Sequence, residues 1–125
     1  HAVEELSKNI DKPIVADMKT MDTGYLEAKI AYEAGAYYTT VLAASGLYTI
    51  REAYRAKNDY KRGLMIDTIG LEDIRIFLDK LVDIKPDYII IHSGIDMQHM
   101  GITPFKWLTQ AEKYIGKYKF GVAGG

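Results

Sequence analysis

The sequence has no cysteine among its 125 residues, which excludes a disulfide framework and a thiolate nucleophile and suits a cytoplasmic protein. No apolar run approaches the roughly 18 residues of a membrane span, and the N-terminus has no signal-peptide pattern. Charge of one sign is also missing: the formal net charge is -1, with no basic patch and no long acidic run, so neither nucleic acid nor a membrane surface is an expected partner. There is no initiating methionine. The chain opens on His1, within a stretch that reads as a helix, and stops at Gly125 directly after a stretch that reads as a strand, so both ends read as cut. What is present is ordinary for one folded domain: 48% hydrophobic and 26% charged residues, enough to bury a core. Ten tyrosines fall mostly in helical or loop stretches (Tyr25, Tyr32, Tyr48, Tyr54, Tyr60, Tyr114, Tyr118), where amphipathic packing is the expected role.

Polar residues concentrate after apolar runs. The first run begins at Pro13 and ends in Asp17-Met18-Lys19-Thr20-Met21-Asp22. A strand's period of two aims Asp17 and Lys19 at one side. The plain alternative is a salt bridge on an edge strand facing water. Ile14, Val15 and Ala16, however, suggest a parallel strand covered on both faces. A partly desolvated ion pair adds little net stability, which favours chemistry as the reason for its presence.

The rest of the chain alternates strands and helices. Val3, Leu6 and Ile10 mark the end of an amphipathic helix over residues 1 to 10. Residues 24 to 34 predict a helix with Leu26, Ile30 and Ala34 inward and Gly35 as its stop; 37 to 42 predict a strand. A helix from about 47 to 57 turns Ile50, Ala53 and Tyr54 inward, and 64 to 68 is a strand. Ile74, Phe77, Leu78 and Leu81 form the cleanest helical stripe, with Glu72 and Asp73 in the first turn. The strand 88 to 91 runs into His92, a loop covers 94 to 102, and Thr103-Pro104 caps a helix reaching Ile115 before a last strand, 120 to 123. Trp107 is expected to pack that helix on the sheet, and His99 to be a surface residue, not a metal ligand.

Strand starts near 13, 37, 63, 87 and 119 recur every 24 to 32 residues with a helix between them, a β/α repeat with a parallel sheet. Five such units fit a doubly wound open sheet, or part of a (β/α)₈ TIM barrel, which needs roughly 200 residues or more. An intact doubly wound domain should open on a strand and close with a covering helix; this chain does neither. The expectation is therefore one partial TIM-barrel domain spanning 1 to 125. In such a protein the strand ends meet, and the candidates lie there: Asp17, Lys19 and Asp22, then Asp67, then His92, then Gly121 to Gly125.

The run Asp17-x-Lys19-x-x-Asp22 resembles the D-x-K-x-x-D signature of the orotidine 5'-monophosphate decarboxylase superfamily of (β/α)₈ barrels, and within it most resembles the 3-hexulose-6-phosphate synthases. Met65-Ile66-Asp67-Thr68-Ile69-Gly70, His92-Ser93-Gly94-Ile95-Asp96-Met97-Gln98 and Gly121-Val122-Ala123-Gly124-Gly125 are similar to the family's strand ends, in order. The resemblance places these units as the third to seventh of the barrel. It implies an aldehyde-lyase: a Mg²⁺-dependent (or Mn²⁺-dependent) aldol addition of formaldehyde to D-ribulose 5-phosphate, giving 3-hexulose 6-phosphate, and its reversal, through an enediolate. Asp17 would be the metal ligand, a hard oxygen donor. Lys19 would stabilise the oxyanion, His92 would move protons, and Asp22 would reach into a partner's site, which implies a homodimer. Asp67 is open to a catalytic or a structural role, and His92 to that of a hydrogen-bonded core histidine. Gly124 and Gly125 would bring bare N–H groups to the substrate phosphate, though glycines after a strand also make plain turns. The family's first two strands supply an Asp and a Glu that share the metal. This chain carries neither, so as it stands it is expected to be inactive. Ala43-Ala44-Ser45-Gly46-Leu47-Tyr48 also departs from the family's usual loop.

Two other readings remain. A 3-keto-L-gulonate 6-phosphate decarboxylase shares the D-x-K-x-x-D strand but carries an arginine three residues after the strand-end histidine, where Ile95 stands here. A phosphoacceptor signalling domain, a doubly wound five-strand module, would use Asp67 as its phosphoryl acceptor.

Overall fold

The computed structural model describes residues 2–124. His1 and Gly125, the second expected phosphate-binding glycine, lie outside them. Five strands form one sheet: β1 (Val15–Thr20), β2 (Tyr38–Leu42), β3 (Gly63–Asp67), β4 (Tyr88–His92) and β5 (Phe120–Ala123). They lie in the order β1-β2-β3-β4-β5, every neighbouring pair parallel. Between and before them run α1 (Ala2–Asn9), α2 (Gly24–Glu33), α3 (Leu47–Tyr60), α4 (Ile74–Lys80), α5 (Ile95–His99) and α6 (Phe105–Ala111).

Strand order decides between the two expected architectures. A doubly wound sheet reverses direction part way and places helices on both faces. Here each crossover steps to the next position on the same side, as in the wall of a (β/α)₈ barrel. The burial pattern agrees. Val41, Leu64, Ile66, Ile89 and Ile91 are fully buried against Ile50, Ala53, Ile74, Leu78 and Trp107 of the helices. The alternate residues Met65, Tyr88, Ile90 and His92 are only half-buried on the other face.

Most local expectations hold. α4 buries Ile74, Phe77 and Leu78, with Leu81 buried just beyond it, and Asp73 caps it by accepting the Arg75 N–H. Ile50 and Ala53 of α3 are core residues with Tyr54 packed on them, and Gly35 takes a φ of +100° where α2 stops. Trp107 is buried and its indole donates to the Glu72 carbonyl.

The expected face of α2 is wrong. It buries Gly24, Ala28, Ala31 and Tyr32, while Leu26 and Ile30 are 55% and 53% exposed. The reason is close packing of small residues: a Cβ on Gly24 would lie 2.1 Å from the Thr49 carbonyl oxygen and 3.0 Å from the Ala53 nitrogen. Only the small side of α2 can approach α3. Four smaller corrections follow. α1 buries no residue, and its Leu6 stays exposed, as does Ile10 just after it. The stretch expected as a loop over 94 to 102 contains α5. α6 begins at Phe105 without a side-chain cap from Thr103 and gives way after Ala111 to a short 3₁₀ turn. β1 is an edge strand of the described sheet, and Val15 is exposed, so it is not covered on both faces.

Candidate active site

The C-terminal ends of β1, β3 and β4 bring four charged or titratable side chains together. Asp67 is the buried member, its side chain 4% exposed at the end of β3. Its Oδ1 accepts the Ile69 N–H at 2.8 Å, and both its oxygens face the His92 Nδ1, at 2.9 and 3.1 Å. The Lys19 ammonium stands 3.7 Å from Asp67 Oδ2 and pairs on its other side with Asp17 Oδ2. Asp17 Oδ1 accepts the Thr40 hydroxyl at 2.8 Å. The sequence is thus Thr40, Asp17, Lys19, Asp67, His92, contributed by four adjacent strands.

The charges set one another. Burial pushes the Asp17 carboxyl up, but the Lys19 ammonium and the Thr40 hydroxyl together outweigh it and hold the carboxyl below its ordinary range. The Asp17 hydrogen bond raises the Lys19 ammonium above its ordinary value, with burial opposing and Asp67 adding to the rise. Asp17 is therefore ionised and Lys19 charged at neutral pH. With a carboxylate against Nδ1, the Nδ1–H tautomer of His92 is the one that satisfies both groups. That assignment leaves the other ring nitrogen, Nε2, as the one able to accept a proton.

Asp17 and Lys19 do face one another, although not through a regular strand. Ala16 pairs with Thr39 and Thr20 with Val41, so three residues of β1 stand opposite the single residue Thr40. This bulge places Lys19 at a φ of +47°. Thr40, which its β-branched side chain marked only as a strand residue, is a member of the cluster. Its signal would have been its register beside Asp17, which needs the strand order.

The other candidates separate. Asp22 is exposed beyond β1, its Oδ1 accepting the Thr23 N–H at 2.7 Å, and among the described residues it makes no ion pair with the cluster. Gly124 lies one residue past the pairing of His92 with Ala123, at a φ of +78°. A Cβ there would meet the Ser93 carbonyl oxygen at 2.1 Å and the Gln98 amide nitrogen at 2.6 Å, so backbone approach at this end demands glycine. His99 ends α5 on the surface, as expected. Asp67 as an acceptor of a phosphoryl group does not fit: both its oxygens are engaged and its side chain is closed to solvent.

For a divalent cation, Asp17 offers a hard, ionised oxygen on a side chain 55% exposed. Among the described residues no three His, Asp or Glu side chains gather as a metal cluster. Mg²⁺ keeps several waters and takes only one or two carboxylates, so Asp17 fits as one protein ligand of such an ion. No helix of the described residues is long and apolar enough to cross a membrane.

Comparison with known proteins adds the family. The chain is 38% identical over 116 residues to the 3-hexulose-6-phosphate synthase of Mycobacterium gastri, an alignment covering 92% of this chain and 55% of that one. The crystal structure of 3-hexulose-6-phosphate synthase from Salmonella typhimurium superposes with a TM-score of 0.90 at 31% identity, covering 99% of this chain and 59% of that one. A 3-keto-L-gulonate-6-phosphate decarboxylase from Vibrio cholerae gives 0.78 at 27% identity, covering 99% and 59%. The chain thus spans a little over half the length of these relatives. With five parallel strands in barrel order and the orotidine 5'-phosphate decarboxylase / HUMPS family model matching residues 1–122, the chain belongs to that family.

Proposed function

We propose that a barrel containing this chain adds formaldehyde to D-ribulose 5-phosphate, giving 3-hexulose 6-phosphate, and catalyses the reverse cleavage. The observation that carries this reading is the array of Lys19 between two carboxylates with His92 locked on Asp67. His92 Nε2 takes a proton from C1 of the sugar phosphate, and the electron pair moves onto the neighbouring ketone to form an enediolate. The Lys19 ammonium stabilises that oxyanion, a contribution of ~3 kcal/mol in a dry site. C1 then bonds to the carbonyl carbon of formaldehyde, and the imidazolium returns its proton to the new alkoxide oxygen. Asp67 holds the ring in register throughout. When bound, Mg²⁺ or Mn²⁺ would supply charge to the ketone oxygen. Asp17 would be this chain's ligand for it, and the family resemblance implies further donors from the part of the relatives' length that the chain does not span. Gly124 would bring its backbone N–H to the phosphate end of the substrate, as the family resemblance implies, although Ser93 and Gln98 already require a glycine there.

A homodimer belongs to the same reading. Met21, next to Asp22 in the chain, and Leu26 and Ile30, four residues apart on α2, are each more than half exposed, apolar surface that a second copy would cover while Asp22 entered its site.

The decarboxylase alternative is disfavoured by Ile95, which opens α5 with its side chain 70% exposed and has no proton to give. The test is formaldehyde-dependent consumption of ribulose 5-phosphate by the full-length protein, abolished by EDTA and restored by Mg²⁺. Release of carbon dioxide from 3-keto-L-gulonate 6-phosphate without that activity would reverse the choice.

A further inference from the structure

The bulge in β1 leaves an accounting question. Three residues face one, so the ladder cannot pair all of their backbone groups, and Lys19 sits in the left-handed region that side chains other than glycine, asparagine and aspartate seldom adopt. Its N–H does not go unpaired. It donates to the Thr40 hydroxyl oxygen at 2.8 Å, and the same hydroxyl donates its own hydrogen to Asp17 Oδ1, also at 2.8 Å. Thr40 is 5% exposed, so its hydroxyl meets little water of its own.

We propose that Thr40 is a positioning residue for the Asp17–Lys19 pair. One hydroxyl, accepting from the Lys19 backbone and donating to the Asp17 carboxylate, fixes the bulge and thereby the direction of both functional side chains. A hydroxyl is the group that can do both at once, since it carries one donor and two acceptor lone pairs. Valine has the same shape and β-branching, fills the same strand position and offers neither bond. Serine keeps both bonds and loses only the methyl group. The inference rests on the aldolase reading for its kinetic consequence alone; the hydrogen-bond claim stands apart from it.

The test uses the full-length protein with Thr40→Val and Thr40→Ser. Thr40→Val is expected to lower kcat by roughly tenfold to a hundredfold, the range found when an outer partner of a ligating or catalytic group is removed, with KM for ribulose 5-phosphate little changed. Thr40→Ser is expected to restore most of the rate. Independently of activity, the Lys19 amide should exchange slowly with solvent in the wild type and Thr40→Ser, and fast in Thr40→Val. A Thr40→Val protein with wild-type kcat, or a Thr40→Ser protein as slow as Thr40→Val, would overturn the positioning role. Unchanged exchange at Lys19 in Thr40→Val would overturn the hydrogen bond itself. Should the wild type lack aldolase activity, the functional reading fails, and the exchange result still decides whether Thr40 sets the bulge.

Discussion

Asp67 has more partners than any other side chain in the cluster: a backbone N–H, an imidazole and an ammonium converge on its two oxygens. A buried carboxylate so placed has to be paired, and its pairing fixes what His92 is able to do. Asp67→Asn keeps the shape and removes the charge. An amide can still turn its oxygen toward Nδ1, but it then directs its NH₂ toward Ile69 or Lys19, both donors, so one contact is lost whichever way it turns. Asp67→Asn is expected to lower kcat by roughly tenfold to a hundredfold, with KM for ribulose 5-phosphate nearly constant. Steady-state kinetics on the full-length protein checks this; an unaltered kcat would make Asp67 purely structural. At this scale the sequence was informative where residue type alone carries chemistry, as with Asp17, Lys19, Asp67 and His92. It was silent on Thr40, because a threonine inside a strand is first of all a good strand former. It also led to the Asp17–Lys19 contact by a period of two, whereas the contact depends on a bulge that no periodicity announces.

Among the elements, α2 and α4 show why one helix was legible and another was not. Ile74, Phe77, Leu78 and Leu81 are large, so their stripe dominates any reading of α4, and the core takes that stripe. In α2 the large aliphatic residues Leu26 and Ile30 point away, and Gly24, Ala28, Ala31 and Tyr32 do the burying, because close approach to α3 at Gly24 matters more there than aliphatic area. α5 is only five residues long and too short to display a period. The exposed side of α2 carries a prediction. If the proposed homodimer uses this face, Leu26→Glu with Ile30→Glu in the full-length protein should convert it to a monomer in sedimentation while the far-ultraviolet circular dichroism stays that of the wild type. A double variant that remains dimeric would place the interface elsewhere.

For the molecule as a whole, the spacing of apolar runs located all five strands to within two residues and correctly implied a parallel sheet. Spacing alone did not choose between an open sheet and a barrel wall. That choice lies in strand order, a long-range property, and in the sequence the expectation drew on the order of the first and last elements together with the D-x-K-x-x-D resemblance, not on spacing or composition. The same order makes the site: because β1 through β4 are successive neighbours, residues 75 positions apart in the chain, Asp17 and His92, belong to one cluster. Lys19 stands at its centre, in reach of a carboxylate on each side. The most direct measurement is therefore kcat for formaldehyde addition to ribulose 5-phosphate by full-length Lys19→Met. Loss of its charge should reduce kcat by about a hundredfold to a thousandfold, as for removal of one oxyanion donor, with KM for the sugar phosphate largely preserved. A Lys19→Met protein that turns over within a few-fold of the wild type would contradict the account.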